Sequence, residues 1–268
     1  MTTTDDAPDT SSPLVVATRA TPHVGVLRID SPPRNAFGRA ECLAFIAAFE
    51  EFTQDPDIRC LVVTGTGKSF LSGANLRHQE ELTPADFEKY ADSNEGLGSI
   101  MARIEAARFP VIAAINGYAL GGGLEVALCC DIRLASTDAR FVCAGVNVGL
   151  ILSWFRLPRV VGLGRAKEML LSGAMYGPEQ AERWGLVSGL HDPADLVPAA
   201  LALAERIATR APLSVEATKE CANQAFDLST AEAMALQREK FLQMIATRDH
   251  GEALRAFIEK RPANYERR

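Results

Sequence analysis

Apolar residues follow two alternating rhythms from about Leu14 to Asp195. Short blocks rich in Val, Leu and Ile (LVVATRA, VGVLRID, CLVVTG and PVIAAING) predict strands. The last two are nearly apolar throughout, the pattern of strands buried on both faces. ECLAFIAAFEEF, GGLEVALCC and the stretch from about Pro84 to Ala107 space their apolar positions as helices do. DIRLAS and RFVCAG predict two further strands. Strands alternating with helices place this part of the chain in the α/β class.

The pattern changes near Asp195. LVPAALALAERIATRA and STAEAMALQREKFLQMIATRDHGEALRAFIEK carry helix periodicity without strand signals, which predicts an all-helical region over 195–268 behind a core spanning 14–194. Residues 1–13, MTTTDDAPDTSSP, hold too little apolar surface to offset the entropy of ordering and predict a loose tail.

Composition narrows the function. With 34 acidic against 28 basic residues and a net charge of -6, the chain lacks the basic surface that phosphate-backbone binding requires. No apolar run approaches the roughly 20 residues that span a bilayer. The polar, acidic start is unlike a signal peptide, so a cytoplasmic protein without membrane contact is expected. Six Cys occur without CxxC or Cys/His spacing, and Cys129 and Cys130 adjoin within an apolar stretch. Buried thiols are expected, with no metal site.

The chemistry concentrates in Ile115–Ala135, INGYALGGGLEVALCCDIRLA, where an apolar strand meets three glycines and then a helix bearing Glu125. Glycines let backbone approach a ligand closely, and the free N–H groups of a helix start favour developing negative charge. Lys68–Leu76, KSFLSGANL, is a second Gly turn after an apolar strand and offers a second donor. Two donors on one carbonyl oxygen make an oxyanion hole.

GKSFLSGANL, followed about fifty residues later by PVIAAINGYALGGGLEVALCCDIRLAS, resembles the paired signature of the crotonase (enoyl-CoA hydratase/isomerase) superfamily. GRAKEMLLSGAMYGPEQAERWGLV and FIEKRP are similar too. The resemblance implies a spiral of repeated ββα units with C-terminal helices that build a homotrimer or a dimer of trimers. It implies an acyl-CoA substrate, with coenzyme A entering as part of that substrate and no separate cofactor. By resemblance, the N–H groups of Ala74 and Gly122 hold the thioester oxygen. Arg34, Ser72, Leu76, Phe257 and Lys260 correspond to coenzyme A contacts.

Hydratases of this superfamily use two glutamates, one at the Glu125 position and one twenty residues on; position 145 here is Gly. No Asp or Glu occurs between Asp138 and Glu168, so no shift of alignment supplies one. Hydration needs a base for water and an acid for the α-carbon, which leaves Glu125 as the single acid/base. The small-residue stretch usual after the second acid is shorter here and reads LILSWFRLPR, so Leu152, Trp154 and Phe155 are expected to crowd an acyl pocket around Gly145 and Asn147. Cys143, Ser153 and Arg156 are further polar residues of that region, Asn75 replaces the usual Asp of the first motif, and His78 is a reserve acid or base.

The leading expectation is a hydratase-like lyase or isomerase acting on acyl-CoA. A decarboxylase or hydrolase of CoA thioesters, or a weak or inactive acyl-CoA-binding protein, remains open. Nucleotide-dependent oxidoreduction is disfavoured, because GGGLE lacks the GxGxxG spacing that cradles a pyrophosphate.

Overall fold

Three successive turns of the chain each lay one strand in a large sheet and the next in a small one. The computed structural model describes residues 14–268 except 81, and only the backbone of 78, 79 and 90–92; the tail expected over 1–13 lies outside the described residues. The chain opens with β1 (Val15–Thr21), β2 (Val24–Ile29), β3 (Ala36–Phe37) and α1 (Arg39–Gln54). β4 (Cys60–Gly65), β5 (Ser69–Leu71) and β6 (Gly73–Ala74) precede α2 (Leu76–Glu80), α3 (Pro84–Asp92) and α4 (Leu97–Ala106). β7 (Val111–Ile115) and β8 (Tyr118–Leu120) lead into α5 (Gly122–Cys129). β9 (Ile132–Ser136) and β10 (Arg140–Val142) lead through a 3-10 turn at Val146–Val148 to α6 (Leu157–Val161) and α7 (Leu163–Ser172). After β11 (Met175–Tyr176), α8 (Pro178–Arg183) and β12 (Leu190–His191) come α9 (Leu196–Ala208), α10 (Pro212–Asn223), α11 (Thr230–Ile245) and α12 (Arg248–Glu259).

The large sheet runs β1-β2-β4-β7-β9-β12 and the small one β11-β10-β8-β5, with β3 and β6 as a separate pair. All large-sheet neighbours are parallel except β1 on β2. Alternate residues of its strands therefore face opposite sides. Leu61, Val63, Val111 and Ala113 join the core that receives Phe45, Phe49 and Phe52 of α1. Val62, Ile112 and Ala114 face the other way, against Leu196, Ala200, Ala204 and Ala208 of α9. An apolar residue every fourth position, three of them Ala, gives α9 a flat stripe that lies close on the sheet. Phe37, Phe45, Phe49 and Phe109 form a chain of rings with centroids 6.0 to 6.3 Å apart.

The helix expected from Pro84 to Ala107 is two helices. Ser93, Asn94 and Gly96 favour turns and caps over helix interior, and Gly96 adopts the extended cap of α4 at φ -101° and ψ -179°. Several short elements escaped the periodicity because two or three residues carry no period: β3, β5, β6, β8, β11 and β12.

Buried thiols give the fold an alkaline limit. Burial pushes Cys60, Cys130 and Cys143 up to about 12, and Cys129 upward as well. Unfolded thiols titrate near about 8.5, so the unfolded state releases these protons first as pH rises. The contribution of the protonated thiols is intact below that value and is lost as pH climbs towards the folded one. The unfolding free energy is expected to fall steadily from pH 8.5 to 10.5, by up to about 1.4 kcal/mol per pH unit for each thiol, and the urea midpoint with it. A midpoint that stays constant across that window would contradict the assignment.

Candidate active site

The three glycines before Glu125 are required for three different reasons. Gly121 has φ +50°, a conformation that side chains disfavour, and donates its N–H to the Val142 carbonyl at 2.9 Å. A Cβ on Gly123 would stand 1.8 Å from the Leu71 carbonyl oxygen, so α5 begins against the backbone of β5. A Cβ on Gly122 would stand 2.9 Å from Leu97 Cδ1 and 3.9 Å from the Ala74 nitrogen. The opposing turn fits as closely: Gly73 has φ +92°, and a Cβ there would lie 2.9 Å from the Leu120 carbonyl and 3.1 Å from the Gly122 nitrogen. The two glycine turns thus pack closely on each other beside the Leu97 side chain. As the first residue of α5, Gly122 has no acceptor for its N–H within the helix.

Glu125 sits in the first turn of α5 and is 7% exposed. Its Oε1 accepts the backbone N–H of Ser153 at 2.6 Å. Ser153 belongs to the short stretch after position 145, and Arg156 fixes that stretch to α4 through Glu105, Nε to Oε1 at 2.7 Å and Nη2 to Oε2 at 2.9 Å. The paired guanidinium holds the Glu105 carboxyl below its ordinary range. Cys143 is buried, and its thiol is pushed up first by desolvation and then by the charge of Glu125.

Gly145 stands where the loop leaves little room for a side chain. A Cβ at this position would lie 2.8 Å from the Leu150 carbonyl oxygen and 3.1 Å from the Leu152 nitrogen. The Leu150 N–H returns to the Gly145 carbonyl at 2.8 Å, closing the loop over the place where a side chain would project. Gly145→Glu is accordingly expected to cost about 1 to 3 kcal/mol of stability without raising hydration activity, read by urea unfolding and by turnover. An active, equally stable variant would show that the loop yields.

The other expected pocket residues divide. Leu152 lies against the glycine turn, its Cδ1 3.9 Å from where a Gly121 Cβ would be. Trp154 and Phe155, expected to crowd the acyl pocket, are 63% and 41% exposed and pack edge to face on each other, 5.6 Å between centroids. The Phe155 ring lies under the Arg156 guanidinium at 4.3 Å. Asn147 donates from Nδ2 to the Gly173 carbonyl at 2.9 Å, a tie between the loop and the end of α7.

Arg34 and Ser72 are brought together by Asn35, which the sequence reading missed. Its Nδ2 donates to the Ser69 carbonyl at 2.7 Å, Ser31 N–H donates to its Oδ1 at 3.0 Å, and Ser72 N–H donates to its carbonyl at 3.3 Å. Asn75 N–H donates to Phe37 at 2.9 Å, and Arg34, Asn75 and Leu76 are exposed along this edge. Phe257, 85% exposed, and Lys260 belong to the end of α12. None of the described hydrogen bonds or ion pairs joins them to Arg34, Ser72 or Leu76. The His78 side chain lies outside the described residues. A separate cavity of about 640 Å³, lined by Arg28, Thr64, Lys68, Asn116, Tyr118 and Arg140 among others, contains none of the candidate residues.

Comparison with known proteins bears on this arrangement. A family model described as enoyl-CoA hydratase/isomerase matches residues 19–268. A crotonyl-CoA hydratase of Syntrophomonas wolfei is 36% identical over 248 residues, 90% of this chain and 94% of that protein. A short-chain-enoyl-CoA hydratase of Clostridium acetobutylicum is 36% identical over 216 residues, 79% of this chain and 81% of that one. Among solved structures, an enoyl-CoA hydratase from Bacillus anthracis superposes with a TM-score of 0.89 at 28% identity, covering 95% of this chain and all of that one (100%). The spiral expected from the two glycine motifs is thereby shown, and the chain belongs to the enoyl-CoA hydratase/isomerase family of the crotonase superfamily.

Proposed function

We propose that this protein hydrates the double bond of a 2-enoyl-CoA thioester, with Glu125 as its single acid/base. The observation that supports the reading is the close packing of the Gly73–Ala74 turn on the start of the helix that bears Glu125, an arrangement in which the Ala74 and Gly122 amides would serve one oxygen. A thioester oxygen placed there receives two N–H donors and the positive end of α5, a combination commonly worth about 3 to 4 kcal/mol per donor in the transition state. Glu125 takes a proton from water as the water oxygen bonds to the β-carbon, and the π pair moves onto the thioester oxygen. The enolate collapses as Glu125 returns the proton to the α-carbon, so one glutamate serves both halves of the addition. Arg34, Ser72 and Leu76 line the approach of coenzyme A, and Phe257 and Lys260 contribute from α12.

The closed loop over Gly145 favours a second reading, in which the protein holds acyl-CoA with little or no turnover, or supports decarboxylation or hydrolysis of a CoA thioester through the same oxyanion site. The experiment that separates them offers crotonyl-CoA and longer 2-enoyl-CoA esters to the purified protein. Hydration is followed by loss of the conjugated thioester absorbance, and binding by calorimetry. Hydration supports the proposal; tight binding with no hydration replaces it with the second reading. The assembly expected with this function is a homotrimer or a dimer of trimers in the cytoplasm. Exposed apolar side chains on the C-terminal helices, Met234, Phe241, Leu242 and Leu254, support a covered face.

A further inference from the structure

Ser153 is costly to the fold in two ways, and a glycine would remove both. Its φ is +61°, a region uncommon for residues with a Cβ. It is 1% exposed, and its Oγ is the buried side-chain oxygen that has no hydrogen-bond partner among the described residues. Unpaired buried hydroxyls are destabilising and call for an explanation. The surrounding contacts hold the residue in place regardless. Its N–H donates to Glu125 at 2.6 Å, its carbonyl accepts the Leu157 N–H at 3.0 Å, and Arg156 locks the following turn to Glu105.

The hydroxyl is separated only by Cα and Cβ from the nitrogen that grips the Glu125 carboxylate. On the other side of the same stretch, the loop leaves no room for an acid at position 145. Hydration nevertheless needs its water oriented by two acceptors if a lone pair is to point at the β-carbon. Glu125 supplies one.

We propose that the Ser153 hydroxyl is the second hydrogen-bond partner of the water that Glu125 activates, which makes Ser153 a catalytic residue. The proposal rests on the hydratase reading above. The water donates one hydrogen to Glu125 and the other to Ser153 Oγ. The O–H bond to Glu125 breaks as the C–O bond forms, the π pair passes to the thioester oxygen, and Glu125 then protonates the α-carbon. Ser153 keeps its own proton throughout and holds the new hydroxyl in the product. The neighbouring Cys143 does not compete as a base, because burial keeps its thiol protonated.

The test uses Ser153→Gly and Ser153→Ala in the full chain, both of which keep the N–H on Glu125. The expected result is kcat lower by about 10- to 100-fold with KM close to wild type, while Ser153→Gly melts at or above the wild-type Tm. A merely structural serine would give a lower Tm and leave the kcat of folded protein unchanged, and that outcome overturns the proposal. Binding gives a readout that needs no turnover. Wild type is expected to prefer 3-hydroxybutyryl-CoA over butyryl-CoA, and Ser153→Gly to lose about tenfold of that preference without weaker butyryl-CoA binding. Should the wild type fail to hydrate while the preference still depends on Ser153, the hydratase reading falls and the hydroxyl-binding role stands. Should wild type and Ser153→Gly hydrate equally, the reading stands and the role of Ser153 falls. A preference indifferent to Ser153 in a protein that does not hydrate overturns both.

Discussion

Replacing Glu125 with Gln is expected to lower crotonyl-CoA hydration by about 10²- to 10⁴-fold, with substrate binding nearly unchanged. Glutamine is close in shape, and its carbonyl oxygen still accepts the Ser153 N–H that Glu125 Oε1 accepts at 2.6 Å. The loop is therefore retained while the proton acceptor is lost. The effect is expected in kcat, because in the proposed mechanism Glu125 acts on water and the α-carbon, whereas the coenzyme A contacts proposed above lie away from it. With Glu125 proposed as the single acid/base, its loss is expected to remove most of the turnover. Steady-state kinetics of the variant beside calorimetric binding of butyryl-CoA decide the matter. Turnover equal to wild type would remove Glu125 from the mechanism and leave the oxyanion site without a proton carrier.

Lys219→Ala is expected to destabilise the protein by about 3 to 5 kcal/mol, the cost of breaking a buried ion pair from one side. Lys219 is buried on α10, and its Nζ donates to the carbonyls of Ile104 at 3.2 Å and Phe109 at 3.1 Å and to Asp131 Oδ2 at 2.9 Å. Asp131 also accepts the Val111 N–H at 2.7 Å, so one ammonium ties α10 to the end of α4 and to the entry of β7. Removing it strands a carboxylate and two carbonyls in a poorly solvated place. Lys219→Met, which restores the apolar stem alone, is expected to recover only part of the loss. The consequence reaches the site, because α4 carries both Leu97 beside Gly122 and Glu105 beneath Arg156. Urea unfolding followed by circular dichroism measures the change, and limited proteolysis shows whether the segment after α9 is released. A variant as stable as wild type would show that α10 is held by its apolar contacts instead.

The chain's own pattern was enough for the main strands and helices of the core. CLVVTG and PVIAAING are apolar on both faces because α1 and α9 cover the two sides of the sheet, and a doubly buried strand has no polar face to show. The glycine turns were legible for a related reason: an L side chain cannot take φ +50° at Gly121 or +92° at Gly73 without strain, so the residue type reports the backbone. The resemblance of the two motifs pointed to the family, and the missing acid was visible as Gly145.

What lay beyond the sequence depends on contacts between residues far apart in the chain. The Ser153 amide meets Glu125 across 28 positions, and Asn35 reaches Ser69 across 34. Neither pairing leaves a period or a motif. The exposure of Trp154 and Phe155 and the positive φ of Ser153 beside them were likewise not legible in the sequence, since both depend on the path of the loop. The sequence by itself determined the alternation of strands and helices, the two glycine turns and the lack of a second glutamate, because each is a local demand on residue type. Only the tertiary structure decided that the two glycine turns pack on each other, that the loop closes over Gly145 and that Ser153 stands against Glu125, because each depends on how separate elements pack.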